Sequence, residues 1–331
     1  MKLKKCAALL LVSSCLLTGC TTSSAKKVDS KYVVASLEKG NKTKNIFADN
    51  LYKDIIDNSS NNSTVFTAVL QNLVDQKFPV NDDMKEDAAT IIKQIKSAYK
   101  SNYGDNYKDS LNQALTSAGY KNLSEYRQRM IKQIQYANFL LDYIDDHFDD
   151  VFNDYYQQCA PKYVSLIKIS VSDTSSPTDD ETSKLNEVKE LISNTDKSFG
   201  DIAQDYSDDS TSSKKGSLGI VDSKDTSGIA NSYGKDVFNA IEALSEGQVS
   251  DVITGDDGYY FVKVTSTDKK TLKKELKKTD IDSPLLAYDD YLQYVVYNSY
   301  KINYKDKDIK KIVQEVVNKA LEERKTERGE A

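Results

Sequence analysis

Apolar periodicity changes twice along this chain, and no other feature constrains its fold as much. Leu123, Tyr126, Met130, Ile134, Ala137, Leu141, Ile144 and Phe148 recur at alternating steps of three and four, the spacing of one face of a long amphipathic helix. Ser124 stands where a cap is expected. Met84–Tyr99 predicts a second helix, its face set by Ala88, Ile91, Ile92, Ile95 and Tyr99. Near Pro161 the texture changes. Val164–Val171 is β-branched and roughly alternating, hence a strand. A polar loop at Ser172–Ser183 carries Pro177. Helical stretches around Leu185–Ile192 and Phe199–Tyr206 follow, then a loop-rich segment with Gly216, Gly219, Gly228 and Gly234, then a strand at Tyr259–Val264. Helical spacing returns with Ile309, Ile312, Val313, Val316, Val317, Ala320 and Leu321. Such a stripe must be buried, and the helical N-terminal region is its natural acceptor. The expected fold is therefore α+β: a discontinuous helical domain with an α+β domain of about 100 residues inserted. The charged tail beyond Leu321 is expected to fray.

Charge divides the chain at the same places. Residues 20–162 carry 18 basic and 19 acidic groups, residues 163–266 carry 9 and 19, and residues 267–331 carry 15 and 13. The expected parts are thus 31–162, an insert at 163–266, and 267–331 completing the first. With a net charge of -6 the chain lacks the basic surplus that nucleic acid demands. Hydrophobic residues at 39% suffice for two modest cores but not for a multi-span membrane protein. A single histidine, His147, excludes His dyads and His-rich zinc sites, and its place at a helix end reads as structural. No phosphate loop, nucleophile elbow, zinc spacing or calcium loop occurs, so neither cofactor nor metal is expected.

Two repeats resist a simple reading. Tyr288, Tyr291, Tyr294, Tyr297 and Tyr300 recur every third residue, a step that drifts around a helix. They read as core and half-buried rings, or as a wall that holds unfolded segments. Lys269, Lys270, Lys273, Lys274, Lys277 and Lys278 read as a solvated helix face, with anionic lipid or wall polymer as the alternative partner.

The N-terminus reads as an export signal. Lys2, Lys4 and Lys5 precede the apolar run Cys6–Leu17, too short for a bilayer span of ~20 residues. Leu17-Thr18-Gly19-Cys20 resembles a bacterial lipobox, in which Cys20 becomes a lipidated N-terminus. Residues 1–19 are then the signal peptide and 20–30 a polar tether. Cleavage also removes Cys6 and Cys15, leaving Cys159 as the sole unmodified thiol, read as structural.

Several ordered segments resemble the extracytoplasmic foldase lipoproteins of the PrsA type, built around a parvulin peptidyl-prolyl isomerase domain. Phe199-Gly-Asp-Ile-Ala-Gln-Asp-Tyr-Ser207 is followed by Asp208-Asp209-Ser210 and Lys215-Gly-Ser-Leu-Gly219. Leu244-Ser-Glu-Gly-Gln-Val-Ser250 and the closing strand Asp257-Gly-Tyr-Tyr-Phe-Val-Lys-Val264 complete the set. Outside the domain, Leu70–Lys77 and Ser101–Asn106 look like the family's helical chaperone region. The resemblance implies a membrane-anchored foldase facing the extracytoplasmic side, with unfolded secreted proteins as clients and no nucleic acid partner. A homodimer is one option for its assembly.

The departures matter as much. The family's two hallmark histidines fall on Leu166, or Lys168 if the register slips by two, and on Tyr260. The Cys-or-Asp position falls on Asp209. Twisting an X–Pro amide meets a barrier of ~18–20 kcal/mol, so catalysis needs an apolar slot and polar groups that favour the twisted form. The resemblance places Leu218 in that slot; Ile229 with Tyr233 or Phe238 are candidates to complete it. Asp209, Tyr260 and Thr254 remain as hydrogen-bonding groups, the first two being the catalytic candidates. The expectation is a foldase whose parvulin-like domain is weak or inactive. Its rivals are an active isomerase using Asp209 and Tyr260, and a lipoprotein for solute capture or adhesion.

Overall fold

The structure is a computed structural model describing residues 26–39, 42–276 and 281–330. The lipobox with Cys20, and Lys277 and Lys278 of the lysine row, lie outside the described residues. The chain divides into two compact units, one from Val80 to Asp290 and one joining the segment up to Pro79 with the segment from Tyr291.

The discontinuous unit begins with an antiparallel meander of β1 (Lys26–Val28), β2 (Lys31–Lys39) and β3 (Lys42–Phe47). This corrects the sequence reading, which has a tether to Ser30 and mainly helix beyond it. Val33 and Phe47 pair across the ladder, a contact that a search for local periodicity cannot see. Helices α1 (Ala48–Ile56) and α2 (Asn62–Lys77) follow. The last helix of the chain, labelled α13 (Lys307–Glu327), packs on α2. It buries Ile312, Val313, Val317 and Ala320 on one side, while α2 buries Val65, Phe66, Leu70 and Val74. The C-terminal stripe thus finds the N-terminal acceptor expected of it. The charged tail does not end the helix at Leu321. It continues to Glu327, with Lys325 Nζ 2.9 Å from Glu322.

The tyrosine row is dispersed. Helix α12 spans only Leu292–Ser299. Tyr294 stacks on Phe66 at 5.0 Å and Tyr297 meets the same ring edge-on at 5.1 Å. Tyr291 donates to Glu327 at 2.6 Å, and Lys77 lies 5.3 Å over Tyr300. Tyr288 belongs to the other unit, buried, with its hydroxyl donating to Asp154 at 2.8 Å. These rings serve local packing and do not form one continuous wall.

The unit from Val80 to Asp290 opens with helices α3 (Asp82–Tyr103), α4 (Tyr107–Ser117), α5 (Leu123–Asp146) and α6 (Phe148–Cys159). The first three share a core of Ala88, Ile92, Ile95, Leu111, Leu115, Met130 and Ile134. The cap of α5 is Asn122, which accepts from the Glu125 amide at 2.9 Å, and not Ser124. Asparagine two positions earlier stands at the N-cap, where its side-chain oxygen meets a free first-turn amide, whereas Ser124 already lies inside the first turn. Nor does one helix run to Phe148: the chain turns at His147, whose Nδ1 lies 2.9 Å from the Tyr143 carbonyl.

A four-stranded antiparallel sheet of order β5-β4-β7-β6 follows, from β4 (Lys162–Ser170), β5 (Ser217–Val221), β6 (Ile253–Gly255) and β7 (Gly258–Ser266). Alternation sorts its residues onto two apolar faces. Ile167, Ile169 and Phe261 pack against α7 (Asp179–Asn194) and α8 (Phe199–Tyr206) through Leu185, Val188, Phe199 and Ile202. Val164, Leu166, Tyr260 and Val262 pack against α9 (Ile229–Tyr233) and α10 (Lys235–Ala243). Each fully buried aliphatic side chain contributes ~1.5–3 kcal/mol over its exposed state. Helix α11 (Lys269–Leu276) carries the lysine row, but not as a wholly solvated face: Lys273 pairs with Asp149 at 2.8 Å and Lys269 lies over Tyr156 at 5.3 Å.

Helix α7 starts in a capping box. Glu181 accepts from the Thr178 amide at 2.7 Å and the Ser172 amide at 2.9 Å, which holds its carboxyl at about 2. A depressed carboxyl contributes stability above its ordinary range and loses it as pH falls through the folded value. The protection factors of the Thr178 and Ser172 amides, measured against their intrinsic exchange rates, are therefore expected to fall between about pH 4.5 and pH 2. Glu181→Gln should abolish that acid dependence in an NMR titration; an unchanged profile would refute the box as its source.

Candidate active site

The face of the sheet beneath α9 and α10 gathers most of the candidate residues. Leu218, Ile229, Tyr233, Phe238 and Tyr260 share one apolar cluster with Leu166 and Val262. The cluster is built by alternation: Leu166 stands across from Val262, and Lys168 stands directly across from Tyr260. Both positions to which a hallmark histidine aligns on β4 therefore point to the same face as the one on β7. Ile229 enters because α9 is locally capped, Asp225 accepting from the Ile229 and Ala230 amides at 2.5 and 3.0 Å. Gly255 leaves room for the Tyr260 ring, since a Cβ there would lie 2.7 Å from its edge.

Asp209 is buried at 3% exposure, because Asp209 caps the short turn Ser210–Lys214 by accepting from the Thr211 amide at 2.8 Å. The Tyr233 hydroxyl donates toward it at 3.4 Å, and the Tyr233 and Tyr260 rings meet edge to face at 6.1 Å. Thr254 stays apart. It is exposed and alternates with Ile253, which faces the cluster, so its side chain points to the other side of the sheet.

One pair was not singled out by sequence. The Tyr260 hydroxyl donates to Asp257, and Lys168 bonds the same carboxylate at 2.5 Å while lying 5.6 Å over the Tyr260 ring. The signal is in the sequence: Asp257 sits in a two-residue turn three residues before Tyr260, and Lys168 stands between Ile167 and Ile169. Burial, followed by the bond to Asp257, pushes the Tyr260 phenol up; burial, followed by the Asp209 charge, does the same to Tyr233. Both rings therefore stay neutral, and both point their protons at carboxylates. Among the described residues, no group of three or more His, Cys, Asp or Glu side chains is arranged to hold a metal.

An antiparallel sheet with two helices on each face thus gathers Leu218, Ile229, Tyr233, Phe238 and Tyr260 into one cluster, with buried Asp209 beside Tyr233. Residues 166–266 match the family model described as "Rotamase: PPIC-type PPIASE domain", and the chain carries a domain of that class. Beyond the class, the chain is similar to the foldase protein PrsA. It is 32% identical over 141 residues to that of Staphylococcus aureus (strain MRSA252), which covers 40% of this chain and 41% of the relative. The same figures, 32% over 141 residues, 40% and 41%, hold for PrsA of Staphylococcus epidermidis (strain ATCC 12228 / FDA PCI 1200). The match thus spans about two fifths of the length of these curated relatives. Among solved structures, PrsA from Bacillus subtilis covers 85% of this chain and 97% of its own at 21% identity and a TM-score of 0.39.

Proposed function

We propose that the chain is a membrane-anchored extracytoplasmic foldase, lipidated at Cys20, that binds unfolded or partly folded secreted proteins. In this reading its rotamase domain grips proline-containing segments with weak or no turnover. The helical segments in 31–162 and 267–331 cradle the client. Similarity to the PrsA foldases and the rotamase match support the foldase role. Among the described residues no helix is long and apolar enough to cross a membrane, so the reading assigns membrane attachment to the lipid.

The observation that carries the low-turnover reading is the commitment of both slot phenols. Twisting an X–Pro amide frees the nitrogen lone pair, which a nearby donor can stabilise. Tyr233 aims its proton at Asp209 and Tyr260 donates to Asp257, while Leu166, at the other hallmark column, has no donor. A slot of this kind binds the ring and offers little to the twisted state. The rival assigns turnover to Asp209 and Tyr260 themselves.

The test is a matched pair of assays on the chain from Thr21 onward. Aggregation of a denatured client should be suppressed. In a protease-coupled proline-peptide assay, kcat/KM should fall roughly 10²-fold or more below that of a parvulin with both histidines, the scale of a lost acid–base group. Turnover equal to that enzyme would overturn the low-activity reading, and failure to protect any client would overturn the foldase.

A further inference from the structure

Among the described residues, every large apolar side chain left exposed, Tyr103 excepted, lies between Val28 and Ile55. Scattered apolar side chains are ordinary on a surface, whereas a concentration in one short stretch marks a contact region. The strand register orders it. Val33 and Phe47 pair, half-buried, on the side of the meander joined to α1 by the Lys31–Asp49 ion pair. Tyr32 and Ile46 lie on the opposite side, 45% and 43% exposed. A bulge between Val33 and Ala35 inserts Val34 and keeps Tyr32 and Ile46 on one face. Lys27 and Lys44 share that face by register with Tyr32 and Ile46, and Lys27 reaches 4.6 Å over the Tyr32 ring. Tyrosine and branched aliphatics beside lysines suit the headgroup layer of a bilayer, where rings sit among glycerol groups and ammonium groups reach phosphates.

Two observations select a lipid surface over other occupants. The first is the chain outside the described residues. From Cys20 to Val28, at ~3.3 Å per residue, the chain spans at most roughly 26 Å, so a Cys20 held in lipid keeps this face beside the membrane. The second is charge: the register puts two lysines, Lys27 and Lys44, on the same face as Tyr32 and Ile46. We propose that the outer face of the β1–β3 meander docks on the anionic phospholipid surface, fixing the folded body against the membrane in addition to the acyl anchor. The proposal rests on the reading of Cys20 as lipidated.

The test uses the unacylated chain from Thr21 onward, which retains every described residue. Its sedimentation with phosphatidylcholine vesicles is compared with and without phosphatidylglycerol. Binding is expected only with phosphatidylglycerol. Tyr32→Glu with Ile46→Glu, and separately Lys27→Glu with Lys44→Glu, should each weaken it roughly tenfold or more. Tyr103→Glu should leave it unchanged, and circular dichroism should confirm that each variant is folded. Absence of binding to phosphatidylglycerol vesicles overturns the proposal, as does equal weakening by Tyr103→Glu. So does concentration-dependent self-association that Tyr32→Glu abolishes while vesicles are ignored. Acylation of Cys20 is scored separately by radiolabelled fatty acid in cells, so loss of the anchor and loss of the docking face are distinct results.

Discussion

Asp222→Ala is expected to cost about 3–5 kcal/mol, the scale of breaking a buried charged network by removing one member. Asp222 is fully buried, at 0% exposure. Its carboxylate accepts from the Tyr155 hydroxyl at 2.9 Å, from the Lys224 and Thr226 amides at 3.0 and 3.3 Å, and from the Thr226 hydroxyl. Alanine would remove the acceptor of two hydroxyls and two amides at once. The consequence reaches the slot, because the turn from Asp222 leads through Asp225 to Ile229, and Tyr155 ties that turn to helix α6. In a thermal melt the midpoint should drop on the order of 10 °C for a unit of this size. Tyr155→Phe removes one donor and should cost about 1 kcal/mol. Burial, followed by the Asp222 charge, pushes this phenol up, so it acts only as a neutral donor. Equal losses in the two variants would mean that the carboxylate's other bonds carry nothing.

Gly216→Ala is expected to cost on the order of 3 kcal/mol, combining left-handed backbone strain with overpacking. Gly216 has φ +75, and a Cβ there would stand 2.4 Å from the Leu166 carbonyl oxygen and 2.8 Å from the Ala203 Cβ. Neither neighbour can yield cheaply. One is backbone, fixed where the Leu166 amide donates to the Gly216 carbonyl at 2.8 Å, and the other belongs to the buried face of α8. Gly219→Ala is the matched control: its φ is +83, but nothing lies within 4 Å of the added carbon. Chemical denaturation should show the second variant losing only the backbone part, about 1–2 kcal/mol. If the two losses coincide, the close approach at Leu166 is not what requires glycine. Pushing Leu166 outward would also disturb the cluster it forms with Tyr260, Val262 and Ile229.

Much of the fold was legible because it is written in local periodicity. Phe199–Tyr206 and the stripe from Ile309 reveal themselves by spacing alone, and the strand around Val164 by its branched side chains. The slot was partly legible for another reason: Leu218, Ile229, Tyr233, Phe238 and Tyr260 sit in ordered motifs, and the sheet brings them together. Thr254 was placed with them by hydrogen-bonding type. Its neighbour Ile253 takes the cluster side, and strand alternation then sends Thr254 away.

The rest depended on contacts between distant residues. The meander over Lys26–Phe47 exists through cross-strand pairs, and no single segment of it shows a strong period. The tyrosine row looks continuous because its spacing is regular, yet the helix ends at Ser299, Tyr294 and Tyr297 share Phe66, and Tyr291 bonds Glu327.

By itself, then, the sequence determined the helical faces, the alternating sheet and the placement of its single histidine, His147, outside residues 166–266. All of these depend only on the identity and spacing of neighbours along the chain. Only the tertiary structure decided that Lys168 faces Tyr260 and bonds Asp257, and that Asp222 accepts from the Tyr155 hydroxyl. Those pairings join residues at least 67 positions apart, and they are set by strand register and burial, which no local pattern encodes.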